Sequence, residues 1–412
     1  MAHRRGWFAA TAAGVLAALA GCGADPQSGR STGAGSEPSD RVVERAEAEQ
    51  TANALPRDGF YAAEPTGAEP GTLLRAEPFG GWSLPDGVRA TRIVYESRSA
   101  QHEPTATSAA VLTPGGPPPE GGWPVISWAH GATGVEPDCA PTLMRDLHGG
   151  GRFADYLDWG YAVVATDYSG LGAGRDHEFN TMPANANDVR YATAAAGEAV
   201  SGLSDRWVVA GHSQGGQAAW GAAAQQTAEP VGELVGAVAL APATPLDTVL
   251  PELGDRPGVA SYLPYIAYAL AVQDPGFHPQ EILTPAGMRQ YERSVHDGCM
   301  GVGEALGARG TADEYLRPDA TENPAVRRFI QHNRYDDAPL AAPLFVVSGA
   351  ADALVAAKTV DAVVAEQCRH ATPVQYREYP GGHDTVVRQS APEALQWIGA
   401  RFAGMPPPDG CR

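Results

Sequence analysis

Short, continuously apolar runs recur along this chain, separated by stretches of helical length. Residues 123–128, 161–166, 207–210, 234–240, 344–347 and 374–379 are such runs. Helices are expected near 152–159, over 187–203, from 213 onward, over 355–366 and over 391–402. A strand that is apolar on every residue must be buried on both faces, and helices between such strands supply the cover. The pattern therefore predicts an α/β fold built on a mostly parallel sheet. Ahead of these runs, residues 88–98 and 105–113 alternate in polarity and read as an antiparallel hairpin.

Between residues 247 and 338 the alternation stops. Roughly ninety residues without a strand–helix rhythm are far too many for an ordinary connection. The segment is expected to be a mainly helical cap, inserted between the sixth and seventh strands over the C-terminal edge of the sheet. Sheets of this kind place their ligands there. The core is then 55–246 with 339–412. The cap's apolar patch, Tyr262, Leu263, Tyr265, Ile266 and Tyr268, is expected to pack as core rather than as a ligand wall.

The chain opens with Arg4 and Arg5 and an uncharged apolar run over 7–20. That is the layout of an export signal, and it is short for a membrane span. Residues 1–21 are read as the signal, because they close on Leu19-Ala20-Gly21-Cys22, which resembles a bacterial lipobox. The expectation is that Cys22 becomes an acylated first residue; the plain alternative is a small-residue cleavage site beside a chance cysteine. Arg4-Arg5-Gly6-Trp7-Phe8 also resembles a twin-arginine pattern. Residues 22–54, rich in Gly, Ser, Ala, Glu and Pro, are expected to be a flexible tether. The folded body would hang from a membrane outside the cytoplasm, or be secreted. Lys and Arg total 29 against 48 Asp and Glu, a net charge of −19. No nucleic-acid partner is expected, since a phosphate backbone needs a basic face.

Setting Cys22 aside leaves Cys139, Cys299, Cys368 and Cys411, an even number suited to an oxidising compartment. Four cysteines allow three pairings. Cys139–Cys299 with Cys368–Cys411 is favoured, the second because both residues would end C-terminal helices. Neither C-x-x-C nor H-E-x-x-H occurs, so no metal is expected.

The chemistry centres on Gly211-His212-Ser213-Gln214-Gly215-Gly216, which follows an apolar strand and precedes an Ala-rich helix. This is G-x-S-x-G in a strand–turn–helix setting, where a sharp turn presents the serine at a helix N-terminus. A serine hydroxyl needs a base and an acid to orient that base. Asp352 follows the penultimate strand and His383, on Gly381-Gly382, follows the last, so Ser213, Asp352 and His383 are the expected triad. Asp384 is the rival acid, but neighbouring side chains rarely point at one another. The oxyanion donors are expected to be the backbone amides of Gln214 and of Ala132 in His130-Gly131-Ala132-Thr133-Gly134, with Thr133 and Gly131 in reserve. His212 is expected to pack beside the serine without moving a proton. His148, His177, His278, His296, His332 and His370 are scattered without ligand spacing, and Asp167 is expected to order its own loop.

Trp128-Ala-His-Gly-Ala-Thr-Gly-Val135, Asp138-Cys-Ala-Pro141 and Gly211-His-Ser-Gln-Gly-Gly216 together resemble the secretory lipase family of the α/β-hydrolases. The likeness runs from about Pro56 to the end. It implies a serine lipase or carboxylesterase that acts through a Ser-Asp-His triad and an acyl-enzyme on a lipid or small acyl ester, without a cofactor. In such relatives the cysteine of Cys-Ala-Pro bonds to one in the cap, and a second pair staples the C-terminus. Ala356 stands where many relatives carry proline. The competing readings are a prolyl-type serine peptidase, an acyltransferase on the same scaffold, and a non-catalytic surface lipoprotein.

Overall fold

The apolar runs pair into one sheet. A computed structural model describes residues 40–149, 151–253, 257–335 and 339–411. In chain order these begin with α1 (Asp40–Asn53), β1 (Leu73–Pro78), β2 (Arg89–Arg98), β3 (Pro104–Thr113), β4 (Trp123–Ala129), α2 (Gly151–Asp158), β5 (Ala162–Thr166) and α3 (Met182–Ala199). Then come β6 (Leu203–His212), α4 (Gln214–Gln225) and β7 (Glu233–Leu240). Six helices follow: α5 (Leu246–Leu253), α6 (Leu263–Gln273), α7 (Pro285–His296), α8 (Met300–Gly307), α9 (Ala312–Tyr315) and α10 (Pro324–His332). The chain closes with β8 (Leu344–Gly349), α11 (Ala357–Gln367), β9 (Val374–Tyr379) and α12 (Thr385–Phe402).

Among the described residues the sheet has nine strands in the order β1-β2-β3-β5-β4-β6-β7-β8-β9. β1, β2, β3 and β5 meet antiparallel, and every pairing from β5 through β4 to β9 is parallel. The two-sided burial of the central strands accounts for their unbroken apolar sequence. In β6, Trp207 and Val209 join the core beneath α3, α4 and α11, while Val208 and Ala210 join the core beneath α2 and α12. β8 divides likewise, Leu344 and Val346 on one face, Phe345 and Val347 on the other. The chain reverses its direction of travel across the sheet at β4, which lies between β5 and β6. A crevice opens at the C-terminal ends of strands at such a switch point.

β1 was not anticipated, so the helical insertion follows the seventh strand rather than the sixth. It has its own core, in which Tyr265, Phe277, Ile282, Val295 and Phe329 pack with Val135 and Phe179 from the sheet's loops. The aromatic patch is split: Tyr265 is buried in that core, whereas Tyr262, Leu263 and Ile266 also line a cavity. Cys139 is bonded to Cys299 at the start of α8, and Cys368 at the end of α11 is bonded to Cys411. The first bond closes a sequence separation of 160 residues and ties the cap to the loop after β4. Replacing both Cys139 and Cys299 by serine should cost about 2–5 kcal/mol of stability. A lowered melting midpoint, with proteolytic cleavage starting within α5–α10, is the expected readout.

The flexible tether expected over 22–54 is too long. Residues 40–53 form α1 instead, with Val43 buried against Val302, Ala305 and Leu306 of α8. Gln50 Oε1 accepts from the backbone amide of Cys299 at 2.8 Å, and Asn53 and Leu55 exchange backbone hydrogen bonds with Arg145 and Leu143. The signal at 1–21, Cys22 and the tether as far as residue 39 lie outside the described residues. Among the described residues no helix is long and apolar enough to cross a membrane.

Candidate active site

Ser213 sits between β6 and α4 with φ 57° and ψ −118°, a conformation that non-glycine residues rarely adopt. Its neighbours explain how the turn closes. A Cβ on Gly211 would lie 2.1 Å from the carbonyl oxygen of Gly215, and one on Gly215 would lie 2.0 Å from that of Ala129. Only glycine allows β4, the turn and the start of α4 to approach so closely. The serine amide donates to Leu240 O at 2.9 Å and its carbonyl accepts from Gln217 and Ala243, which pins the turn on both sides.

Asp352 and His383 meet because β8 and β9 are parallel neighbours whose following loops are stitched together. Ala350 N donates to Tyr379 O at 2.7 Å and Ala351 N to Gly381 O at 3.1 Å. His383 Nδ1 then lies 2.7 Å from Asp352 Oδ2. The other carboxylate oxygen accepts from the amides of Leu354 at 2.9 Å and Val355 at 2.8 Å, so the side chain is fully buried and held at three points. Asp384 is exposed and lines a different cleft.

His383 Nε2 is buried and, among the described residues, has no hydrogen-bond partner. Its ring lies 4.7 Å from that of His212, the residue before the serine. His212 does more than pack there. Its Nε2 is 3.0 Å from the carbonyl oxygen of His383, a contact in which the ring donates. Burial, with His383 and Arg152 nearby, holds the His212 imidazole well below its usual range, so it braces the His383 loop as a neutral donor. The bare G-x-S-x-G signal could not show this role.

The loop after β4 faces the serine. Gly131 Cα is so placed that a Cβ would lie 3.7 Å from Ser213 Cβ. Ala132 lines the same cavity as Ser213. Thr133 turns toward the cap, where its carbonyl accepts from Met300 N at 2.8 Å. His130 is locked below this loop, with Nε2 3.0 Å from Asp167 O and its own carbonyl accepting from Tyr168 Oη at 2.9 Å. Burial lowers its imidazole to about 4.

Asp167 reaches further than its own loop. Its carboxyl is fully buried and is contacted by Ser108 Oγ and by the amide and hydroxyl of Thr142, beside the disulfide-bearing segment. Burial pushes this group up to about 7, against the opposing pull of those hydrogen bonds. The folded protein therefore holds a proton that the unfolded chain releases from about pH 4 upward, and this contribution to stability is lost as pH rises through about 7. Asp167→Asn removes that dependence. The difference in melting midpoint, variant minus wild type, should grow more positive between about pH 5 and about pH 8; a constant difference would contradict the assignment.

Ser213 opens into a narrow cleft between the sheet and the cap, with a volume of about 80 Å³. Its walls include Leu246, Val249, Leu263, Ile266 and Phe329 from the cap and Leu354 from the Asp352 loop. No acidic side chain lines it among the described residues. Nor do the described residues contain a group of three or more His, Cys, Asp or Glu placed to hold a metal.

The family model for secretory lipases matches residues 152–410. A probable inactive lipase of Mycobacterium tuberculosis is 25% identical over 382 residues, covering 85% of this chain and 83% of its own. Lipase A of Arthroderma benhamiae is 24% identical over 391 residues, covering 86% and 81%. In fold, Candida antarctica lipase A in its closed state superposes with a TM-score of 0.72 at 17% identity, covering 87% of this chain and 90% of that one. The architecture is that of the α/β-hydrolases.

Proposed function

This chain belongs to the secretory lipase family, and we propose that it is an exported carboxylic ester hydrolase with Ser213 as its nucleophile. The observations that support the reading are the strained serine lining an apolar cleft and the Asp352–His383 pair joined at 2.7 Å, whose imidazole lies 4.7 Å from the ring of His212 next to the serine. His383 Nε2, without a hydrogen-bond partner among the described residues, is the atom that takes the serine proton. Ser213 Oγ bonds to the ester carbonyl carbon, and Asp352 holds the imidazole and its charged form. Collapse of the tetrahedral species expels the alcohol, which receives the proton from His383. Water then attacks the acyl-enzyme by the same route and releases the acid.

The amides of Gln214 and Ala132 receive the oxyanion, each worth about 3 kcal/mol in the transition state. Gln214 begins α4, where the first amides have no partner within the helix. Ala132 is favoured over Thr133 because it shares the cleft with the serine while Thr133 is engaged by the cap. The acyl chain lies along the cap residues and gains about 0.8 kcal/mol per buried methylene. The helical insertion thus acts as a lid that sets chain-length preference. Cys22 is the proposed site of acylation, anchoring the enzyme outside the cytoplasm.

Among the described residues the cleft is lined by apolar and neutral polar side chains, which favours an ester over a peptide whose ammonium must be held. The described inactivity of one relative makes turnover itself the decisive quantity. The test is a series of p-nitrophenyl esters of increasing chain length, run beside an aminoacyl amide. Ester turnover with no amide cleavage is expected. A folded protein that cleaves only the amide, or nothing, would overturn the reading.

A further inference from the structure

Two buried side chains of the cleft carry oxygens with no donor. Gln214 and Gln217 are 2% and 1% exposed, both line the cleft with Ser213, and neither Oε1 has a hydrogen-bond partner among the described residues. They lie three residues apart on α4 and so share one face of the helix.

The orientation of Gln214 is fixed by a chain of contacts that ends outside the cleft. His177 Nδ1 lies 2.9 Å from the carbonyl oxygen of Ser169, which places the ring proton there and leaves Nε2 as an acceptor. Burial lowers the His177 imidazole to about 4, so the ring is neutral. Asn185 Nδ2 donates to Glu178 O at 3.3 Å, which leaves Asn185 Oδ1 as an acceptor too. Gln214 Nε2 lies 3.0 Å from that oxygen and 3.3 Å from His177 Nε2, so both of its hydrogens are used. A flipped amide would set oxygen against two acceptors. The free end of Gln214 is therefore Oε1. His177, one of the histidines without ligand spacing, holds it there.

Of the two other amides that line the cleft, Asn180 and Asn333, the second is already satisfied. Asn333 donates to Phe329 O at 2.9 Å and accepts from Met182 N at 2.7 Å. What the cleft offers near the serine is thus a fixed neutral acceptor on Gln214 and, beside it, the buried amide of Gln217, whose oxygen has no donor among the described residues, between mainly apolar walls. A plain alkyl chain would leave both oxygens buried and unpaired, whereas a hydroxyl supplies the missing donor. With no carboxylate in the lining, the matching group is a neutral donor rather than an ammonium. Gln214 adjoins the nucleophile and Gln217 lies one turn on, which sets the donor within the first few carbons of the acyl chain.

We propose that the cleft selects esters of hydroxy acids bearing the hydroxyl close to the carbonyl, recognised by Gln214 and Gln217. This rests on the ester-hydrolase reading of the same site. The experiment compares p-nitrophenyl 3-hydroxybutyrate with p-nitrophenyl butyrate, each corrected for its rate of alkaline hydrolysis, in wild type and Gln217→Met. The wild type should favour the hydroxy ester by about ten-fold in kcat/KM, and the variant should lose most of that ratio. Binding of the two esters to Ser213→Ala, measured by calorimetry, separates the subsite from the chemistry. Equal turnover of both esters by the wild type, or an unchanged ratio in Gln217→Met, overturns the subsite and leaves the hydrolase reading standing. No turnover, with about ten-fold tighter binding of the hydroxy ester, removes the hydrolase reading and keeps the subsite. No turnover with equal binding removes both.

Discussion

Ser213→Ala is expected to reduce kcat/KM for p-nitrophenyl esters by about 10⁶-fold, the scale on which loss of a nucleophile acting with its base is felt. The fold should survive the change. The turn is held by the backbone bonds of residue 213 to Leu240, Gln217 and Ala243, none of which involves the hydroxyl. Alanine also meets the same backbone demand at φ 57° as serine does, so no new strain is introduced. Near-unchanged melting with abolished turnover is the expected pair of results. Retained turnover would show that another group attacks the ester.

Asp352→Asn is expected to cost about 10⁴-fold in kcat, although it replaces a carboxylate with a group of the same shape. The reason lies in the three contacts of that side chain. Oδ1 accepts from the amides of Leu354 and Val355, and asparagine must keep its oxygen there to avoid placing an NH₂ against two donors. Its NH₂ then faces His383 Nδ1, which becomes an acceptor, and the ring proton moves to Nε2. The nitrogen that should take the serine proton would already carry one. Measurement of kcat across pH should show an activity that recovers in alkali where hydroxide supplies the base, with KM little changed. A loss of less than about ten-fold would point to Asp384 or another acid.

Much of this arrangement was legible because its signals are local and unambiguous. Strands buried on two faces produce unbroken apolar runs, and the elbow needs glycines at fixed offsets from a serine. Other elements escaped for equally physical reasons. β1 is a half-exposed edge strand, Leu-Leu-Arg-Ala-Glu-Pro, with neither continuous apolarity nor clean alternation. α1 buries only Val43 against the cap, so its composition resembles a tether. Yet its run of Arg, Glu, Ala and Gln is made of good helix formers, and Arg45 and Glu49 pair at 2.8 Å one turn apart. α12 begins at Thr385 rather than near Ala391, since Pro392 reads as a first-turn residue but here lies inside the helix. The braces of the site were the least visible. That His212 holds the His383 carbonyl, and that His177 and Asn185 orient Gln214, depends on contacts between residues 29 to 171 apart in the chain.

The central claim is that the Ser213 hydroxyl is activated by His383, whose ring lies 4.7 Å from that of His212, the residue before the serine. A fluorophosphonate probe reports this directly, because it bonds only to a serine whose proton is being removed. Peptide mass spectrometry of the labelled full-length protein should find one adduct, on Ser213, and His383→Ala should lose it. An unlabelled Ser213 in the folded wild type, or equal labelling with and without His383, would contradict the account.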